Sequence, residues 1–260
     1  MGVSIHATAI VEKGAFLGND VNIGPYSFVG KNVVLGERTK IYSHAVLKGH
    51  TSLGNDCIVW PFATLGAEPQ DLKYQGEESL LVCGDGNSFR EYCNVSIGTA
   101  LGSGKTSIGS RNLFMIHTHI AHDCVVGNSC VFANGVSLGG HVVVGDHVIL
   151  GGHSAFHQFT NIGSYSISGG GSVVVQDVLP CSVVQGNHAK PFGINKIGLE
   201  RNSFSQEMIA SVRKMYKIIY RSHLTLEESI CEIHKNIPPS KPRDLILNFL
   251  SSPSARGLVR

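Results

Sequence analysis

A chain of 260 residues with 42% apolar side chains is long enough for one large domain or two modest ones, and apolar enough to bury a real core. Its formal net charge of +2, with Lys and Arg neither massed nor interleaved with aromatics, excludes the basic face of a nucleic-acid binder. The start MGVSIHATAIVEKGAF has no basic segment leading into a long apolar run, and no stretch reaches the ~18 uncharged apolar residues of a membrane span, so a cytoplasmic protein with no membrane span is expected. The seven cysteines show no CxxC spacing, which argues against a disulfide framework or a zinc knuckle.

From the start of the chain the dominant signal is a repeat of six. Residues Ile5, Val11, Leu17, Ile23, Val29, Leu35, Ile41, Leu47, Leu53, Val59 and Leu65 are all aliphatic, and the fifth place of each hexad is small or β-branched. The frame breaks over about 67–82, restarts at Cys83, Phe89 and Val95, and breaks again over 98–107. It resumes from Ile108 to Val174, with Ser168 the one polar residue at a core place. A helix repeats its core face every ~3.6 residues and a strand every two, so a strict six fits neither. It fits short strands separated by bends and coiled so that equivalent residues stack inward, a parallel β-helix. Cys57, Cys93, Cys124 and Cys130 fall in the fifth, inward place and are expected to be small apolar filler.

After about residue 190 the period turns helical. Met208, Val212, Met215 and Ile219 lie three or four apart, Thr225 and Glu228 have capping-box spacing, and PRDLILNFLSS reads as a third helix. The predicted organisation is an all-β coil over 1–190, with loop insertions at 67–82 and 98–107, followed by a small α-helical domain over 191–260. Arg213, Lys214, Lys217 and Arg221 can form one basic face on the first long helix.

The hexads, together with QDLKY at 70–74, HIAHDC at 119–124, GGHV at 139–142, HQF at 157–159, QGNHAKPFGIN at 185–195 and the ending RGLVR, resemble the left-handed β-helix acyltransferases, and among them the UDP-N-acetylglucosamine 3-O-acyltransferases of lipid A synthesis. That resemblance implies a triangular coil of three hexads, a homotrimer, and transfer of a long, 3-hydroxylated acyl chain from acyl carrier protein to the sugar 3-hydroxyl. The only prosthetic group it implies is the carrier's phosphopantetheine arm. With three hexads to a coil, His122 stacks in a column with Gly140 and Gln158, while His141 and His157 each lie one place off it. Coils about 4.8 Å apart therefore line one corner with His122, His141 and His157, and His119 lies on the adjoining edge.

By resemblance His122 is the general base, Asp123 orients it, and the amide of Gly140 meets the oxyanion. Asp71 and Lys73, with Gln70 assisting, match residues that hold the glucosamine. His119, His141, His157 and Gln158 would line the sugar and acyl groove, and Gly170 would sit where the acyl chain ends. His188, Asn195 and Arg201 match positions that receive the nucleotide and its diphosphate. Ser96, Ile97, Ile197 and Asn202 depart from the family pattern and bear on nucleotide contacts.

Three other readings compete. γ-Class carbonic anhydrases, on the same coil, bind zinc with two histidines five apart, the spacing of His117 and His122, but their third ligand falls here on Leu81. A related N-acyltransferase carries a uridine-binding domain before its coil, whereas here the hexads begin at Ile5. A non-catalytic β-helix binding protein would have a degraded HIAHDC, and the motif is intact.

Overall fold

The computed structural model describes residues 2–260. Its first two-thirds is a left-handed parallel β-helix built from strands mostly two residues long, which stack into three sheets of eleven, nine and eight strands. Ser4 pairs with Asn22, Asn22 with Lys40 and Lys40 with Ile58, a rise of one coil for every three hexads. The sheets are the walls of a triangular prism: the first wall begins with Ser4–Ile5, the second with Ile10–Val11 and the third with Phe16–Leu17.

The hexad makes this shape because two extended residues are followed by a bend whose second turn residue takes a left-handed backbone, at φ 58° for Asp20, 60° for His44, 59° for Asp123 and 62° for His141. Ile23, Val29, Leu35, Ile41, Leu47 and Leu53 point inward and are at most 1% exposed. Each buried aliphatic of this kind contributes roughly 1.5–3 kcal/mol. The inward cysteines Cys57, Cys93, Cys124 and Cys130 are buried free thiols, and burial pushes the last three up to about 12. Phe89, Phe114 and Phe132 stack inside the first wall with ring centroids 5.0 and 4.8 Å apart. Farther along that column Ser168 is buried, and its hydroxyl accepts from Gly151 N at 3.0 Å. The first coil has nothing beneath it, and there the inward Ile5 is exposed.

Both frame breaks leave the prism at one edge, between the second and third walls. Ile58 pairs with Ser88 and Ser88 with Leu113, each a longer step along the chain than the three hexads that separate Lys40 from Ile58. The strands resume earlier than the hexad frame suggests, at Leu80 and Lys105. The third wall widens locally there, with Leu80 paired to both His50 and Lys105, so the last residues of each apparent break are strand.

The final coil shortens, with Ile167 paired to Val183, and Ser182–Gln185 turns back antiparallel on Lys190–Ile194. Four helices follow: α1 (Lys196–Arg201), α2 (Gln206–Arg221), α3 (Leu226–Asn236) and α4 (Lys241–Ser251). The capping box is formed, with Thr225 Oγ1 accepting from Glu228 N and Glu228 Oε2 accepting from Thr225 N. The short α1 is additional to the sequence reading, since KIGLER buries only Leu199 and has no apolar stripe. Ile209, Val212, Met215 and Ile219 of α2 pack with Ile233, Ile246 and the coil residues Tyr165, Leu179 and Cys181 in a core of their own. The chain then returns to the coil, where Val259 N donates to Asp177 O at 2.9 Å. Among the described residues no helix is long and apolar enough to cross a membrane.

Candidate active site

His122 and Asp123 form the bend between His119–Ile120 of the second wall and Val125–Val126 of the third, the same edge from which both insertions depart. His122 Nδ1 lies 2.8 Å from Asp123 Oδ2. The Asp123 side chain is wholly buried, and the second insertion wraps it: Thr99 donates from N at 3.1 Å and from Oγ1 at 2.7 Å, and Ser103 N donates at 2.9 Å. Burial alone would push Asp123 up, but the hydrogen bonds from His122, Thr99 and Ser103 outweigh it and hold the carboxyl below its ordinary value. An ionised Asp123 fixes His122 with Nδ1 as donor, which leaves Nε2 free to accept.

The ring rests on Gly140, one coil along. A Cβ at Gly140 would stand 2.7 Å from His122 Cε1 and 2.8 Å from Nε2, so only glycine admits the imidazole there. Gly140 N has no hydrogen-bond partner among the described residues, although its carbonyl accepts from Phe159 N at 3.1 Å. A free amide therefore lies beside the free ring nitrogen. His141 meets His122 edge-on at 5.2 Å and stacks on Phe159 at 4.4 Å. Burial lowers the His141 pKa, and the nearby charges of Asp123 and Asp71 only partly oppose this. His119 Nδ1 lies 2.9 Å from Asn94 Oδ1 across the second wall, and burial lowers its pKa too.

The first insertion leaves and rejoins the coil at the same edge, between Thr64–Ala67 of the second wall and Leu80–Cys83 of the third. Within it Asp71 Oδ1 accepts from Lys73 N at 3.0 Å, while Gln70 and Lys73 are exposed. The two insertions are tied together by Ala100 N donating to Glu77 Oε1 and Ser79 Oγ donating to Gly98 O at 2.6 Å. His157 and Gln158 are exposed one coil beyond His141, and Gln158 O accepts from Arg256 Nε at 2.9 Å.

The other expected residues are not brought to His122 within one chain. Gly170 turns the edge between the first and second walls. Asn195 caps α1, accepting from Gly198 N and donating to Tyr165 O, which lies at the edge between the third and first walls. His188 is exposed at the tip of the hairpin, and Arg201 is exposed at the end of α1. Among the departures, Ser96 and Ile97 are buried beside the first insertion, Ile197 is exposed, and Asn202 Nδ2 donates to Gly198 O.

His117 turns a different edge from His122 and stacks on Tyr92 at 5.0 Å, so the pair five apart does not converge. The atoms that do converge are those of His122, Asp123 and His141, with one ligand atom from each within 4.8 Å of the others. Three contributors were missed from sequence: Thr99, Ser103 and Gly102. A Cβ on Gly102 would collide with the Asp123 carboxylate. The frame break at 98–107 was their only signal.

A left-handed hexapeptide coil whose edge holds a histidine–carboxylate pair beside a free amide defines an acyltransferase of the hexapeptide-repeat class. Residues 14–49 and 32–67 match the bacterial transferase hexapeptide model, and residues 177–259 match the second domain of UDP-N-acetylglucosamine O-acyltransferase. The structure is similar to LpxA from Acinetobacter baumannii (45% identity, TM-score 0.95, covering 98% of this chain and 99% of that one). It is similar to the UDP-N-acetylglucosamine O-acyltransferase (LpxA) of Moraxella catarrhalis (42%, TM-score 0.96, 98% and 99% covered). The Arabidopsis UDP-N-acetylglucosamine acyltransferase also matches (35%, TM-score 0.86, 98% and 100% covered). The chain belongs to the UDP-N-acetylglucosamine O-acyltransferase family.

Proposed function

We propose that this protein transfers a long, 3-hydroxylated acyl chain from acyl carrier protein to the 3-hydroxyl of UDP-N-acetylglucosamine, the first step of lipid A biosynthesis, as a cytoplasmic homotrimer. The observation that carries the chemistry is His122 held through Nδ1 by the buried Asp123, with its other nitrogen beside the unpartnered amide of Gly140. His122 Nε2 takes the proton of the sugar hydroxyl as the oxygen attacks the thioester carbonyl. The carbonyl oxygen, now an oxyanion, accepts from Gly140 N–H. Collapse of the tetrahedral adduct forms the ester and expels the pantetheine thiolate, which takes the proton back from His122. Asp123 stays ionised throughout and steadies the imidazolium.

Asp71, Lys73 and Gln70 hold the glucosamine, and His119, His141, His157 and Gln158 line the groove. Gly170, His188, Asn195 and Arg201 serve the acyl end and the nucleotide. Because Gly170 and Asn195 lie on other edges of the prism, a threefold arrangement that sets the edge of one copy against its neighbour accounts for their part in the same site. The exposed Arg213, Lys214, Lys217 and Arg221 of α2 suit an acidic carrier. No cofactor is required beyond the carrier's own phosphopantetheine arm.

Purified protein incubated with UDP-N-acetylglucosamine and a panel of acyl carriers, followed by product mass and hydroxylamine treatment, tests this reading. A hydroxylamine-labile ester on the intact nucleotide sugar is expected. A stable amide on an amino-sugar acceptor alone would transfer the chain to the N-acyltransferases. The convergence of His122, Asp123 and His141 favours one alternative, a metal site. Asp123 already accepts from Thr99, Ser103 and His122, so few lone pairs are left for an ion. Loss of activity on chelation and its return with zinc would establish the metal reading instead.

A further inference from the structure

The far end of α2 carries a cluster that takes no part in the proton transfer at His122. A cavity of about 360 Å3 opens there, lined among others by Tyr216, Tyr220, Arg221, His223, Leu224 and Arg260. No acidic residue lines it. Among the described residues the side chains of Arg221, His223 and Arg260 make no ion pair and no hydrogen bond. By contrast, Arg38 is matched by Asp56 and Arg90 by Glu91. Convergence of uncompensated positive groups on one hollow is the arrangement that recruits an anion.

A second observation points the same way. The Tyr220 hydroxyl oxygen is buried and has no hydrogen-bond partner. Buried hydroxyls are nearly always satisfied, and the residue bearing this one lines the cavity. Tyr220 and Arg260 line the same cavity. The wall bearing Arg260 is anchored rather than frayed. Lys190 Nζ donates to Arg260 O at 3.1 Å, Val259 is buried and paired with Asp177, and Arg256 donates to Gln158 O beside Phe159, one coil from His141.

Two guanidinium forks, an imidazole and a phenol supply more donors than the two oxygens of a carboxylate take up, whereas a tetrahedral phosphate presents its oxygens in several directions. We propose that this cavity is a phosphate site in which Arg221 and Arg260 supply the charge and Tyr220 and His223 supply hydrogen bonds. The same group comes from two sources: free phosphate in solution, and the phosphodiester of the arm that carries the acyl chain. The second source rests on the acyltransferase reading above.

Calorimetric titration of the full chain with inorganic phosphate, at ionic strength held constant with chloride, tests the site directly. One phosphate per chain is expected. Arg221→Gln with Arg260→Gln should weaken it at least about tenfold, and Tyr220→Phe about threefold, the loss of charge-assisted and neutral donors respectively. Without phosphate, Tyr220→Phe should melt no lower than the wild type, because it removes an unpaired buried hydroxyl; that is a readout which diffuse surface charge would not move. Phosphate that competes with the acyl carrier but not with the sugar identifies the phosphodiester as the natural occupant, and binding without competition identifies free phosphate. Absence of saturable binding, or equal affinity in the double variant, overturns the proposal. The titration needs no turnover, so its failure leaves the acyltransferase reading standing, and a chain that binds phosphate but transfers no acyl group fails that reading alone.

Discussion

Replacing Gly140 with alanine isolates the support of the proposed base from the base itself. The new methyl would stand 2.7 Å from His122 Cε1 and 2.8 Å from Nε2. Carbon contacts are comfortable from about 3.5 Å, so the ring must give way by roughly 0.8 Å or swing off the edge. Gly140 does not have a left-handed backbone, so alanine itself fits the chain there. A shift of that size breaks the 2.8 Å bond to Asp123 and carries Nε2 away from the amide. Misplacement by about 1 Å costs on the order of 10²-fold, so kcat should fall roughly 10- to 100-fold with KM for the sugar little changed. Stability should drop by only about 1 kcal/mol, a shift of about 2–4 °C in Tm, because Asp123 keeps its donors from Thr99 and Ser103. Steady-state kinetics and a melting curve on the same preparation decide the matter. A folded Gly140→Ala enzyme with wild-type kcat would refute the claim that His122 works where the structure puts it.

Thr99→Val deletes the 2.7 Å hydroxyl donor to Asp123 while leaving the backbone donor; urea unfolding should show a loss of about 1–3 kcal/mol, and turnover should fall several-fold. Because the folded Asp123 has a depressed pKa, its contribution is complete above the unfolded value of about 3.9 and is lost as pH falls through the folded value, so Asp123→Asn should flatten the acid limb of stability below about pH 4. For His119 the depressed pKa runs the other way in charge: the unfolded chain takes up the proton first, so stability declines as pH drops below about 6.5, and His119→Gln should remove part of that slope below about pH 6.5. An unchanged slope in either variant contradicts the assignment. A Cβ at Gly170 meets only the backbone of Gly152, its O at 3.3 Å and its N at 4.0 Å, so Gly170→Leu should fold and shift donor preference toward shorter acyl chains; an unchanged preference makes the Gly169–Gly171 run a bend and nothing more.

The coil was legible because its cause is local. Every sixth residue must be aliphatic to fill the narrow interior of the prism, and Ile23, Ile41 and Val59 state this one after another along the chain. The pairing of His122 with Gly140 also followed from counting, since a coil of fixed length turns sequence separation into position. What the count could not reach was the content of the two insertions. Thr99, Gly102 and Ser103 are small residues in a break with no period, and only the folded loop shows that they close around Asp123. Asn195 illustrates the same limit: its motif suggested a ligand contact, whereas within the chain its amide is engaged by Gly198 N and Tyr165 O. The edge on which Gly170 falls was implicit in the repeat, yet its distance from the edge of His122 becomes visible only once the walls are assembled.

The most direct test of the central claim is the split between kcat and KM in His122→Asn. Asparagine keeps a polar side chain of similar reach but cannot accept and return a proton at the position of Nε2. The account predicts an intact fold, an unchanged KM for UDP-N-acetylglucosamine and a fall in kcat of about 10²–10⁴-fold, the range for loss of a general base. A variant that retains kcat while its KM rises would contradict it, and would make His122 a sugar contact and not the base.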